Sequence, residues 1–472
     1  MTNWLPKLSD SHDPIYVKLA DAIDVGIANG ALKSGDKLPP QRNLAFDLGV
    51  TIGTVGRAYA LARERGQVAG EMGRGTYVLA REEGATKGVD LPQSTLTRHQ
   101  TYETGSGRNT LIMHSTVAPD VGQAGIVANV MSGVCRDFPT EVTDYVRRQR
   151  AEWREAGSKW LSVGDWVPDP ARVLPTPGVQ SGLLAMIAAM TALGDKIAFE
   201  ALAYASNARA ISLIGRRPIP VAIDDDGLDV DDLERVCAQQ HPKALFVMPT
   251  LQNPTLVTMP VDKRKKLAEV ARKNQLWIFE DNVYAPQAEN VPPPLITFAP
   301  DLTFHANSFS KSVLAGLRTG WIACPKGCEA RVRQAIKSLS GGLSFSVTET
   351  ASRMVLGGHA HEIHNKVDTE ISARHQRLNS ILDGLDYNSD PMVGFIWLKV
   401  PEPWTSTKFR IAALENGIIV DGEEEFFVSE SEQLRNRIRV AFIGDTRERM
   451  ADGLVRLREI MESGSAGYER YS

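Results

Sequence analysis

Apolar residues near the start of the chain recur at helical spacing. Ile15, Leu19, Ile23 and Ile27 fall at every fourth position, the one-sided stripe of an amphipathic helix. Gly30 and Ser34-Gly35 end that stripe. Pro39 and Pro40 open a shorter helix carrying Leu44, Ala45 and Leu48, and Gly49 supplies a turn. Thr51 stands where an N-cap belongs, before a third helix with Val55, Ala58, Tyr59 and Ala62 on its inner face. Gly66 closes that helix, and the segment Gln67 to Val78 has the alternation of a two-stranded hairpin with a Gly-rich tip. Three short helices and a hairpin predict a self-contained unit over residues 1–79.

The pattern then changes twice. Residues 80–109 are polar, rich in Gly, Ser and Thr, and poor in apolar anchors, which is the composition of a flexible linker. From residue 110 to 472, apolar strand-like runs alternate with helical patterns. Examples are KIAFE (Lys196 to Glu200), ALFVMP (Ala244 to Pro249), LWIFED (Leu276 to Asp281) and LTFHANS (Leu302 to Ser308). Strands alternating with helices predict an α/β domain with a largely parallel sheet.

Bulk properties narrow the class. A chain of 472 residues is too long for one ordinary core, so two or three domains are expected. The 43% hydrophobic and 23% charged fractions are those of globular proteins, and the net charge of −4 advertises no nucleic acid at whole-chain level. The opening MTNWLPKLSD lacks the basic-then-apolar pattern of a secretory signal, and no apolar run is long enough to span a bilayer. Cys135, Cys237, Cys324 and Cys328 form no disulfide framework. Cys324 and Cys328 lack a second pair or a nearby His to complete a metal site. A cytoplasmic protein with reduced thiols, no membrane partner and no metal is expected.

Several polar residues follow separate predicted strands, and open α/β sheets bind ligands at the carboxyl ends of their strands. Lys311, in SFSKSVLAGLRTG, offers an amine for a Schiff base with an aldehyde cofactor; Arg318 and Ser308 could meet a phosphate. Asp281 ends LWIFED, where a carboxylate could hold a pyridine nitrogen protonated, and Tyr284 three residues on could donate to a phenolic oxygen. Asn253 in PTLQNPT could bond that same oxygen, and Tyr204 could stack on a ring face. Gly178 leads into a helix whose first N–H groups, from Val179 and Gln180, would make a phosphate seat. Each signal has an ordinary alternative: a surface lysine, a strand-end turn cap, an Asn-Pro turn, a core tyrosine, a plain glycine turn.

Taken in order, these motifs resemble the fold-type I (aspartate aminotransferase-like) family of pyridoxal-phosphate (PLP) proteins. The match is carried by G-V-Q before a helix, E-x-x-x-Y, Q-N-P-T, E-D-x-x-Y, S-x-S-K and G-L-R-x-G. The resemblance implies pyridoxal 5′-phosphate on Lys311, a small C-terminal subdomain, and an arginine on a late strand that holds a ligand carboxylate. RNRIRVAF (Arg435 to Phe442) matches that strand; Arg439 is assigned the role, with Arg435 and Arg437 on the same face at period two. The family also carries a Tyr, a Gly and an Arg in a segment that reaches the partner subunit's site. Tyr145 and Arg154 fit the outer positions, but Gln149 stands where Gly is usual.

Residues 12–79 resemble the GntR winged helix-turn-helix, through KSGDKLPPQRNLAFDLGVTIGTVGRAYALARERG and the GRGTYV hairpin that follows. This implies a third helix entering the DNA major groove, with Thr51, Ile52, Gly53, Thr54 and Gly56 facing the bases. Arg42 would lie near the second helix's start and Arg74 at the wing tip. Residues 1–80 hold nine Lys/Arg against eight Asp/Glu, so few phosphates are neutralised per subunit and a homodimer is expected. Ile52 could contact a thymine methyl.

A GntR-type unit, a linker and an aminotransferase-like domain together resemble the MocR regulators. That resemblance implies a homodimer that binds a double-stranded DNA operator and senses a small amino-compound effector as an external aldimine. Two alternatives stay open: a working PLP-dependent aminotransferase, and a sensor of PLP itself.

Overall fold

The computed structural model describes residues 4–6, 14–33, 35–65, 67–71, 75–78, 110–284, 291–429 and 436–463. The chain divides into two compact units, residues 1–101 and 102–472. The proposed linker at 80–109, the turn glycine Gly66 and the wing-tip Arg74 lie outside the described residues.

In the first unit, helices Ile15–Ala28, Gln41–Leu48 and Ile52–Glu64 follow the three predicted stripes. Leu19, Ile23, Leu44, Val55, Ala58, Tyr59 and Ala62 share one core with Leu32, Leu38, Val68 and Val78. Ile15, at the outer end of the first stripe, stays 47% exposed, so the packed stripe begins at Leu19. Gly49 ends the second helix at φ 65°, a left-handed conformation that suits glycine. The Thr51 side chain caps the third helix by accepting from the Thr54 N–H at 3.2 Å. Strands Val68–Glu71 and Gly75–Val78 pair antiparallel as the wing. The wing is wider than its sequence suggests. Leu38 N–H bonds Thr76 O at 2.8 Å and Val78 N–H bonds Asp36 O at 2.9 Å, adding a short third rung. The polar run before Leu38 carries no alternation that would have shown it.

The second unit is built on a seven-stranded sheet. In spatial order the strands are Val173–Thr176, Gly320–Ala323, Thr303–Ser308, Trp277–Asp281, Ala244–Val247, Lys196–Glu200 and Arg217–Val221. All run parallel except Gly320–Ala323, which is antiparallel to both neighbours. Residues such as Ala244–Val247 are buried throughout, which explains their unbroken apolar runs. The apolar helix Val179–Met190 lies in one core with Phe246 and Phe279 of the sheet and Val332 and Ile336 of helix Glu329–Ser340. Helix Ala151–Leu161 comes so close to the sheet that a Cβ on Gly157 would sit 2.2 Å from Trp321 Cδ1.

After the long helix His359–Ile381 comes a four-stranded antiparallel sheet, ordered Tyr387–Asn388, Phe395–Lys399, Arg437–Ala441 and Asp421–Gly422. Leu111–Ile112 pairs in parallel with Ile418–Ile419, joining the start of this unit to its last third. Among the described residues no helix is long and apolar enough to cross a membrane.

Candidate functional site

One edge of the large sheet gathers the predicted residues, because parallel strands all release their chain at the same end. Asp281 is the last residue of its strand and Ser308 of the next; Lys311 follows three residues later. Gly178, Tyr204 and Asn253 follow strands ending at Thr176, Glu200 and Val247. Arg318 precedes the one antiparallel strand, so it reaches the same edge from the other direction.

At the centre, the Lys311 amine donates to Thr116 Oγ1 at 2.7 Å and lies 5.8 Å from the Tyr284 ring centroid. Thr116 Oγ1 is 3.1 Å from the Tyr284 hydroxyl. Desolvation, with the Arg439 and Arg318 charges nearby, lowers the Lys311 pKa to about 7, against a smaller opposing pull from Asp281. A lysine tuned this way holds a substantial neutral, nucleophilic fraction near neutral pH. Asp281 is buried, and desolvation raises its pKa to about 7; the Val283 N–H, 3.1 Å from Oδ1, and Lys311 work against that rise. Burial likewise pushes the Tyr284 phenol to about 12.

Asn253 lies in a loop tied shut at its ends. Met259 N–H bonds Pro249 O at 2.8 Å, and fully buried Arg264 donates to both Pro249 O (2.7 Å) and Met259 O (2.9 Å). Gln252 braces the turn from within, accepting from Thr255 N–H at 3.0 Å and donating to Leu202 O at 2.6 Å. Behind the sheet edge, Glu280 points away from Asp281, as alternation along a strand requires. It accepts from Leu295 N–H at 2.8 Å and pairs with His305 Nδ1 at 2.9 Å.

Arg439 enters from the smaller sheet, opposite Asp421 in register. Its Nη1 donates to Asn253 Oδ1 at 2.9 Å; its Nη2 donates to His114 O at 3.1 Å and Asp421 Oδ2 at 2.5 Å. The guanidinium carbon stands 5.4 Å from the Phe395 ring and 4.8 Å from that of Phe426. Arg437 turns elsewhere, to Asp386 and the Trp397 carbonyl. Of the two described arginines on that face, Arg439 therefore joins the Asn253 cluster; Arg435 is outside the described residues.

Gly178 precedes helix Val179–Met190 at φ 86°, and no side chain caps the helix. Val179 is buried and Gln180 half-buried in the first turn. A Cβ on Gly178 would lie 3.4 Å from Arg318 Nη2, so the guanidinium sits over the helix start. Arg318 itself has φ 46°. Ser308 is buried, with its Oγ 3.4 Å from the Ser310 N–H. Tyr204 is 42% exposed at the start of helix Ala205–Leu213. Tyr145 is 85% exposed, and no described contact brings it to the cluster within one chain. Thr116, Asp421, Arg264, Phe395 and Phe426 were missed by the sequence reading. They lie in no motif and reach the cluster only through strand pairing and loop closure.

In the first unit Arg42, Thr51, Ile52 and Gly53 are exposed. Thr54 is half-buried, and its hydroxyl is 2.9 Å from that of Thr51. Gly56 is half-buried, and a Cβ there would sit 3.2 Å from Gln41 Oε1 of the preceding helix. Exposed Arg57, one turn beyond Gly53, shares the outer face.

The donor set fits pyridoxal phosphate. A partly buried lysine with no close carboxylate partner among the described residues, an uncapped helix start beneath an arginine, and a protonatable buried carboxyl suit an aldehyde, a phosphate and a pyridine nitrogen respectively. Fold and site thus define a PLP-binding domain of aminotransferase type behind a helix-turn-helix unit. The model for aminotransferase class I and II matches residues 114–457, and the chain belongs to that family. The model for bacterial regulatory proteins of the gntR family matches residues 15–78. An uncharacterised HTH-type transcriptional regulator of Bacillus subtilis, YdeF, is 26% identical over 98% of this chain and 97% of its own. The HTH-type pyridoxine biosynthesis transcriptional regulator PdxR of Corynebacterium glutamicum is 27% identical over 75% of this chain and 76% of its own. Among solved structures, the α-aminoadipate aminotransferase LysN of Thermus thermophilus, complexed with N-(5′-phosphopyridoxyl)-L-leucine, superposes with TM-score 0.68. It is 21% identical and covers 79% of this chain and 95% of its own. A GntR-type unit fused to an aminotransferase-like domain, with relatives named as regulators, is consistent with the MocR family.

Proposed function

We propose that this protein is a cytoplasmic, homodimeric transcriptional regulator that binds an operator through residues 1–79 and senses a small amino compound at residues 110–472, across a linker at 80–109. The observation that carries this is the desolvated Lys311 amine lying within reach of the Arg439 charge in one cluster, on a chain that carries a GntR-type unit.

Pyridoxal phosphate, when bound, supplies an aldehyde carbon that condenses with primary amines. The chain's own residues then divide the work. Lys311 offers the resident amine, part-neutral because of desolvation and the Arg439 and Arg318 charges. Val179 and Gln180 N–H groups, Ser308 and Arg318 would hold the phosphate. Asp281 would keep a proton on the pyridine nitrogen, while Asn253 and Tyr284 would serve the phenolic oxygen. Tyr204 would cover a ring face, and Tyr145 would reach across from the partner subunit. Arg439 would line the ligand end of the cluster with Asp421 paired to it, and Thr116 orients the Lys311 amine. On the DNA side, Arg42, Thr51, Ile52, Gly53, Thr54 and Arg74 form the interface, with Arg57 added to it.

The test joins the two ends. Operator affinity of the PLP-loaded full chain is measured with and without a panel of amino compounds, alongside visible spectra and product analysis. A spectral change with an operator shift of roughly 5–150-fold supports a regulator. Keto product with constant operator affinity establishes an aminotransferase instead. Operator binding that tracks PLP and ignores every amine establishes a cofactor sensor.

A further inference from the structure

Arg439 already holds a carboxylate that belongs to the protein. Both Nη2 hydrogens are committed, one to the His114 carbonyl and one to Asp421 Oδ2. A guanidinium offers a carboxylate two forks, Nη1 with Nη2 or Nε with Nη2, and both need an Nη2 hydrogen. No bidentate seat is free until a bond is broken. The His114 partner is backbone and cannot swing away, whereas Asp421 is a side chain. Arg439 is 6% exposed and its Nε has no hydrogen-bond partner among the described residues, while Asp421 is 21% exposed. Phe395 and Phe426 flank the guanidinium, so the Asp421 contact is the one open to exchange. Strand register holds Asp421 opposite Arg439, so the competitor is always present.

We infer that Asp421 is a specificity-determining residue of the ligand site, a resident carboxylate that opens the site to primary amines lacking an acid and removes the advantage an α-carboxylate would have at an unpaired arginine. A ligand acid can engage Arg439 with two bonds only by exchanging one carboxylate for another, which yields little net attraction. An amine without an acid leaves the pair intact. The inference rests on the amine-sensing reading above, and the experiment separates the two.

The PLP-loaded full chain and its Asp421→Asn variant are titrated with L-alanine and with ethylamine, read by the visible spectrum. The ratio of the two affinities should be near one in the native protein. It should rise about tenfold or more for alanine in the variant, the factor of one charge-assisted hydrogen bond regained. Asp421→Ser serves as a second variant should the first be poorly folded. An unchanged or falling ratio in both overturns the inference. Propionate, which has no amine, gives an arm independent of the cofactor: it should raise the thermal midpoint of the variant more than that of the native protein. If neither amine alters any spectrum but propionate stabilises the variant selectively, the role of Asp421 stands and amine sensing falls. If propionate stabilises both proteins alike, the role of Asp421 falls.

Discussion

Replacing Lys311 by Met should make the cofactor-free protein more stable, by an amount that depends on pH. The native fold holds the Lys311 ammonium at a pKa of about 7 against an ordinary 10.5, chiefly because it is desolvated. Between those values the unfolded chain binds a proton that the folded chain does not, so native stability rises with pH across the window. Below pH 7 the folded state carries the buried charge and the full penalty, on the order of 5 kcal/mol for a pKa moved from 10.5 to about 7. Lys311 is only partly buried, so water screens some of that, and roughly 3 kcal/mol is the expected size. Methionine carries no charge and avoids the penalty, but forfeits the bond to Thr116, a pH-independent loss of about 1 kcal/mol. Urea unfolding at pH 7 and pH 9 is the assay. Tryptophan fluorescence reports the larger unit, since seven of the eight tryptophans lie at Trp153 or later. The advantage of Lys311→Met should shrink by about 1–2 kcal/mol from pH 7 to pH 9. A difference that stays constant, or grows, would show that Lys311 is not desolvated and would remove the physical basis for its reactivity.

Asp281→Asn should act in a lower pH window with the opposite slope. The folded carboxyl sits at about 7 against 3.8, so native stability falls as pH rises between them, and the variant's advantage should grow by about 2 kcal/mol from pH 5 to pH 7 in urea unfolding. Gly157→Ala should lower stability by about 2–3 kcal/mol, because its Cβ would fall 2.2 Å from Trp321 Cδ1; an unchanged unfolding midpoint would mean that this helix can move off the sheet freely. Thr51→Ala removes the cap on helix Ile52–Glu64 and should raise amide exchange over its first turn by the equivalent of about 1 kcal/mol, leaving exchange in the larger unit untouched.

The sequence by itself marked many of the elements and most of the polar residues that the fold gathers at one edge of the large sheet. Periodicity fixed the three helices of the first unit, because a helix that buries one face must repeat its apolar residues every three or four positions. Unbroken runs such as ALFV marked strands covered on both faces. Lys311, Asp281, Asn253, Gly178 and Arg318 were legible because each lies at a strand end of the large sheet or in the loop joined to one, and parallel strands deliver such residues to one edge. Contacts made by side chains from distant segments left no local signal. Thr116 meets Lys311 across 195 positions, and Arg439 meets Asn253 across 186. The choice of Arg439 over Arg437 was open in a strand of alternating arginines, and the small sheet's packing turns one to Asn253 and the other to Asp386. The approach of Gln41 to Gly56 likewise comes from the crossing of two helices. Asp421 is an unremarkable acid in an acidic run; only strand register sets it opposite Arg439, where its charge acts on the site. Local pattern records what a residue must bury, while the neighbour it meets depends on how whole elements pack.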